Sequence, residues 1–277
     1  MRFAVCNEMF KDWAQTGIAA RAKALGYDGV ELAPFTLSPD PTRMKPSEVR
    51  EVREAYENAG LDIVGLHWLL ARTQGLSITS PDDTVLDRTA GYLRILVSLC
   101  SDLGGQLMVF GSPAQRDLAS GQSFDDGFAR ATRVFREVSV AAGAAGISVL
   151  IEPLTKVETN FINTMEEGVR LVEAVGHANF RLHLDIKAMR GAEPKSPAET
   201  ILAEGGRYLH HFHANDPNLL GPGMGDEDIA PIAAALKAVG YDRWISVETF
   251  APGPGPEEIA RLSLETLNRH FGGAHAH

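Results

Sequence analysis

Residues 147–152 read I-S-V-L-I-E, an apolar run of strand length that ends on an acidic side chain. The same grammar recurs in R-L-H-L-D (181–185), Y-L-H-H-F-H (208–213) and W-I-S-V-E (244–248). Glu152, Asp185, His213 and Glu248 therefore each close a short run that reads as a buried strand. They are spaced by 33, 28 and 35 residues, about one strand plus one helix each time. In a barrel of parallel strands, equivalent strand ends converge on one face, where such barrels carry their active sites.

Working outward, the whole chain alternates in this way. Strands are expected at Arg2 to Cys6, Gly29 to Leu32, Leu61 to Leu66, Gln106 to Phe110, Ile147 to Ile151, Arg181 to Leu184, Tyr208 to Phe212 and Trp244 to Val247. Helices are expected at Lys11 to Leu25, Pro46 to Ala59, Pro81 to Leu103 and Ser123 to Ala145, then near Thr164 to Val175, Pro197 to Glu204, Asp226 to Val239 and Gly255 to Phe271. Gly60 is a helix stop, and Ser80 is read as an N-cap ahead of Pro81. Eight strand–helix units imply an α/β fold, a single-domain (β/α)8 TIM barrel over residues 1–271. The competitor is an open doubly wound sheet, but the first turn, Asn7-Glu8-Met9-Phe10, lacks the glycines a nucleotide-binding turn wants.

Bulk properties narrow the classes. At 277 residues, with 44% hydrophobic and 22% charged side chains, the chain has enough apolar mass for a sizeable core. A net charge of −10 with no basic stripe argues against nucleic acid and anionic membrane as partners. Cys6 and Cys100 lack C-x-x-C spacing and are expected as reduced, buried thiols. No signal-like segment opens the sequence and no apolar run approaches the length of a span, so a cytoplasmic location is expected. The tail over 272–277 is expected to be disordered, with His275 and His277 part of a frayed end. A homo-oligomer is compatible with all of this.

Three carboxylates and an imidazole gathered at one mouth repel each other unless a cation sits between them. Three oxygen donors and one nitrogen suit Mn²⁺ first, with Mg²⁺ and Co²⁺ as alternatives, rather than structural zinc. Period-two alternation puts His211 on the same strand face as His213, and His183 on that of Asp185. His183 and His211 are thus expected one layer beneath the ligands, either orienting them or packing as ordinary interior residues.

The stretches I-E-P-L-T-K-V-E-T (151–159), L-D-I-K-A-M (184–189), H-F-H-A-N-D-P-N (211–218) with G-P-G-M-G (221–225), and S-V-E-T-F (246–250) occur in that order. L-G-Y-D-G-V-E (25–31) and G-L-H-W-L-L-A (65–71) accompany them. Together they resemble the sugar phosphate isomerase/epimerase group of xylose-isomerase-like TIM barrels, which includes the ketose 3-epimerases. The resemblance covers most of the chain. It implies metal ligands at Glu152, Asp185, His213 and Glu248, with Glu152 and Glu248 also the acid/base pair, and a substrate contact at Glu158. Two positions depart from the ketose epimerase pattern. Ala188 stands where a histidine follows the ligand aspartate by three residues, and Leu219 where an arginine follows the ligand histidine by six. Substrate contacts are therefore sought at His67, Lys156, Lys187 and Arg116, all at or just past strand ends; Glu8 and Glu31 are expected to line the mouth or bond loop amides.

The expected function is a divalent-metal-dependent isomerase or epimerase of a ketose or keto sugar, working through an enediolate. A metal that chelates a carbonyl and its neighbouring hydroxyl would stabilise that anion. The alternatives are a lyase or dehydratase acting on a 3-keto sugar or glycoside, a phosphodiester-cleaving endonuclease, and a non-catalytic sugar-binding barrel. Net charge and the single clear ligand cluster disfavour the endonuclease.

Overall fold

The computed structural model describes residues 1–272, apart from the side chains of residues 204–206. Among the described residues, eight parallel strands close into a barrel in chain order. They are β1 (Arg2–Cys6), β2 (Gly29–Leu32), β3 (Asp62–Leu66), β4 (Leu107–Phe110), β5 (Ser148–Ile151), β6 (Phe180–Asp185), β7 (Leu209–Ala214) and β8 (Trp244–Val247). Closure is made by β1 and β8, paired from Arg2 opposite Trp244 to Val5 opposite Val247. An open sheet would leave β1 with one neighbour; here it has two.

The connecting helices are α1 (Gln15–Leu25), α2 (Pro34–Leu37), α3 (Pro46–Ala59), α4 (Asp83–Leu103), α5 (Phe124–Ala144), α6 (Met165–Val175), α7 (Ile186–Ala192), α8 (Pro197–Tyr208), α9 (Ile229–Ala238) and α10 (Pro256–His270). Several boundaries follow from local chemistry. Gly60 ends α3 at φ +70°, where its N–H reaches back to the last-turn carbonyls. α4 starts at Asp83 rather than Pro81, because Asp82 caps it by accepting the Thr84 N–H at 2.8 Å. α1 starts at Gln15, since a 3₁₀ turn spans Asn7–Met9 and Asp12 is left-handed at φ +65°. The sequence expectations omit α2 and α7. The expected fraying of the tail lies outside the described residues. Among the described residues, no helix is long and apolar enough to cross a membrane.

The core has two parts. A large apolar layer lies between the barrel and its helices, with Phe110, Phe135 and Phe180 among its anchors. Inside the barrel, Ala4, Val64, Leu107, Val109 and Leu150 pack with Trp244 as a small apolar plug. Gly65 is needed where β3 meets β4, because a Cβ there would stand 1.9 Å from the Leu107 carbonyl oxygen. Cys6 and Cys100 are buried and unbridged. The interior plug matters for function because the polar residues sit above it, away from bulk water.

Candidate metal centre at the barrel mouth

Alternation along β5 to β8 carries the interior from apolar to polar. Leu150 belongs to the plug, and Glu152 lies two residues on. His183 precedes Asp185, His211 precedes His213, and Ser246 precedes Glu248 by the same step. One donor atom from each of Glu152, Asp185, His213 and Glu248 lies within 4.8 Å of all the others. The four are 4%, 1%, 0% and 6% exposed, so water cannot screen them from each other.

The protein's own charges show what such a gathering costs. Burial pushes Glu152 up to about 8, aided by the Glu248 and Asp185 carboxylates. Burial likewise pushes Asp185 up to about 6, against the pull of Lys187 and with Glu248 adding to the rise. Glu248 goes the other way. Burial would raise it, but His213 and His67, by charge and hydrogen bond, hold it well below the usual carboxylate range. His213 is correspondingly held well above the ordinary imidazole range, because Glu248 and Glu31 outweigh the burial that would lower it. Two carboxyl groups thus retain protons for want of positive charge. A divalent cation among three oxygens and one imidazole nitrogen would relieve that condition, so the donor set fits one.

Behind the quartet stands a buried frame. Glu31, from the second strand, reaches Nε2 of His211 at 2.7 Å and Nε2 of His213 at 3.3 Å. His213 Nδ1 faces Glu248 Oε2 at 3.2 Å. A carboxylate on the far nitrogen of a ligand histidine is the usual way its ring is oriented. Glu31 is therefore neither a mouth residue nor a loop brace, and the signal for it was its inward register in G-V-E-L. His211 also lies 3.3 Å from Ser246 Oγ. His183 packs against His213 with ring centroids 4.1 Å apart, and neither of its nitrogens has a hydrogen-bond partner among the described residues. It supports the ligand by packing, not by a hydrogen bond. Asp185 doubles as the N-cap of α7, accepting the Ala188 N–H at 2.7 Å on Oδ1, while Oδ2 accepts from Asn215 Nδ2.

The expected substrate contacts divide. Lys187 Nζ pairs with Glu158 Oε1 at 2.8 Å and stands 4.6 Å over the Phe250 ring, beside the quartet. Thr155 Oγ1 donates to the other Glu158 oxygen at 2.8 Å. His67 is fully buried and bridges two carboxylates, with Nδ1 3.1 Å from Glu248 Oε1 and Nε2 2.9 Å from Glu8 Oε2. The second contact is close in distance but off the line of a hydrogen bond, so the distance marks an ion contact only. His67 thus acts on Glu248 rather than reaching a substrate. Arg116 requires a correction. Its guanidinium is fully buried and donates to the Glu152 and Phe110 carbonyls at 2.6 Å each and to Ser112 at 3.2 Å. It braces the backbone behind Glu152 instead of facing the cleft. Lys156 is exposed, with no ion pair or hydrogen bond among the described residues, because the chain turns outward after Thr155. Ala188 is buried in α7, and Leu219 is 40% exposed at φ +71°.

A sequence-family profile described as xylose isomerase-like TIM barrel matches residues 19–270. The L-ribulose 3-epimerase of Methylomonas sp. (strain DH-1) is 27% identical over 244 residues, 87% of this chain and 81% of that protein. The D-psicose 3-epimerase of Enterocloster bolteae is 26% identical over 282 residues, 97% and 90% of the two chains. Among solved structures, a D-psicose 3-epimerase determined in the presence of D-fructose superposes with a TM-score of 0.87 at 21% identity, covering 99% of this chain and all of that one. A 3-keto-D-glucoside 4-epimerase from E. coli superposes with a TM-score of 0.81 at 20% identity, covering 97% and 99%. With this barrel and a match spanning most of its length, the chain belongs to the xylose isomerase-like TIM barrel family.

Proposed function

We propose that this protein is a divalent-metal-dependent epimerase of a keto sugar, with Glu152, Asp185, His213 and Glu248 holding one ion and Mn²⁺ as the first candidate. The observation that carries the reading is the gathering of these four donors within 4.8 Å at the C-terminal mouth of the barrel. The relatives support it, since the proteins matched over most of their length are L-ribulose and D-psicose 3-epimerases. When bound, the ion supplies Lewis-acid charge stabilisation to the carbonyl and adjacent hydroxyl of the sugar.

The protein supplies the proton chemistry. Glu152 follows β5 and Glu248 follows β8, so the two carboxyls approach from different walls of the barrel. Their resting states differ: Glu152 holds a proton near neutrality, and Glu248 is ionised. A pair pushed apart in this way is suited to opposite acid and base roles. Glu248 takes the proton from the carbon beside the carbonyl, and the C–H electron pair becomes the enediolate double bond. Glu152 returns a proton to the other face of the same carbon, which inverts it. Exchange with water then resets both groups. Glu158 and Lys187, paired at 2.8 Å beside the quartet, orient substrate hydroxyls.

Metal-loaded protein incubated with a panel of ketoses and keto sugars in D₂O, read by NMR, tests this. Deuterium incorporation at one carbon with inversion there is the expected result. Loss of a substituent instead of inversion makes the protein a lyase, and no exchange with any keto sugar refutes the reading.

A further inference from the structure

Beside the metal centre lies a cleft of about 990 Å³, lined by the loops after β1, β2, β3 and β8. That is the top of the range of about 300–1,000 Å³ found for drug-sized ligands, and more room than one hexose takes. Its wall is aromatic. Trp68 is held edge-on between Phe35, at 5.5 Å between centroids, and Phe250, at 5.9 Å. Trp13 packs on Phe10 at 5.5 Å. Trp13 and Phe250 keep 37% and 38% of their surface exposed. The polar side of the cleft is incomplete. Glu8 Oε1 and Thr249 Oγ1 are buried and have no hydrogen-bond partner among the described residues. Both residues line the cleft, and Glu8 connects through His67 to Glu248. Fixed aromatic faces next to unpartnered acceptors are the two halves of sugar recognition. The C–H face of a ring lies on the aromatics, and its hydroxyls satisfy the buried oxygens.

We propose that this cleft is a second sugar subsite, so that the substrate is a glycosylated keto sugar whose outer ring lies on Trp13, Trp68 and Phe250. The inference rests on the proposed reaction at the metal quartet and adds the substrate class to it. The keto unit occupies the metal centre, and the glycosyl unit extends toward the loops after β1 and β2.

The test uses Mg²⁺-loaded full-length protein with D-fructose and with isomaltulose, which carries a glucosyl group on O6 of fructose and leaves the carbonyl and its neighbouring carbons free. In saturation-transfer NMR, the glucosyl-ring protons of isomaltulose are expected to receive saturation from the wild type and to lose it in the Trp13→Ala, Trp68→Ala double variant. In D₂O exchange, the isomaltulose-to-fructose ratio of kcat/KM is expected to fall by about tenfold in that variant, the scale of losing an aromatic contact. Phe250→Ala, at an exposed position, serves as the second variant if the double variant does not fold. Glucosyl protons that receive no saturation, or an unchanged ratio, overturn the subsite. If neither sugar exchanges, the proposed reaction is wrong, and the saturation experiment still decides the subsite on its own.

Discussion

Gly111 leaves the space that the Glu152 carboxylate occupies. A Cβ on residue 111 would stand 1.9 Å from Glu152 Oε2. The glycine at the end of β4 is thus a condition for the position of a ligand on β5. Gly111→Ala is expected to displace that carboxylate, weaken metal binding and cost about 1–3 kcal/mol in stability through overpacking. Metal titration and thermal unfolding of the variant check this. Wild-type values in both would show that Glu152 does not need this position.

Arg116 was sought in the cleft and is found behind it. Replacing it with methionine leaves the Glu152, Phe110 and Ser112 carbonyls without their donor. Each buried acceptor left unpaired costs about 1–3 kcal/mol, so Arg116→Met is expected to lose several kcal/mol of stability. Urea unfolding measures it. A variant as stable as wild type would mean that water replaces the guanidinium without loss.

Metal affinity should rise with pH. Asp185 and Glu152 hold protons up to about 6 and about 8, and an incoming cation must displace them. Affinity therefore increases through the first value, continues to rise through the second, and then levels off. The sign for folding is the reverse. In metal-free protein these raised carboxyls contribute stability that is present below their ordinary values and lost as pH rises through about 6 and about 8. Titration calorimetry in buffers of different ionisation enthalpy should detect proton release on binding near neutrality. Affinity that does not change with pH contradicts the assignment.

Much of this centre was legible before any coordinates, because it depends on periodicities the chain displays openly. Strand ends repeat at the length of a βα unit, and alternation fixes which side chains face inward. That is why Glu152, Asp185, His213 and Glu248 could be grouped, and why His211 could be placed one layer below His213. Glu31 was harder to place. It sits on the second strand, far in sequence from its histidines, and only barrel closure brings it to them. Arg116 and Lys156 failed as cleft residues for a different reason. They follow strand ends, but loop geometry decides whether a long side chain turns in or out, and no sequence period encodes that. The start of α7 was masked because Asp185, read as a ligand, also serves as its cap.

His211→Gln separates orientation from ligation. His211 is tied to Glu31 and Ser246 rather than included in the quartet. Metal affinity should fall by about 10- to 100-fold at most, as for other residues that act through a ligand. A complete loss of metal, with the protein still folded, would place His211 on the ion instead.

Glu152→Gln and Glu248→Gln should each slow α-proton exchange by about 10²- to 10⁴-fold, since an amide cannot carry the proton. Metal content must be measured in the same samples, because each change also removes charge from the quartet. Metal-loaded variants that exchange as fast as wild type would contradict the two-carboxylate mechanism.

The central claim is that four strand ends build one cation site. Metal analysis of purified wild-type protein beside Asp185→Ala and His213→Ala tests it most directly. The expected result is one divalent ion per chain in the wild type and little or none in either folded variant. Wild-type metal content in both variants would contradict the claim.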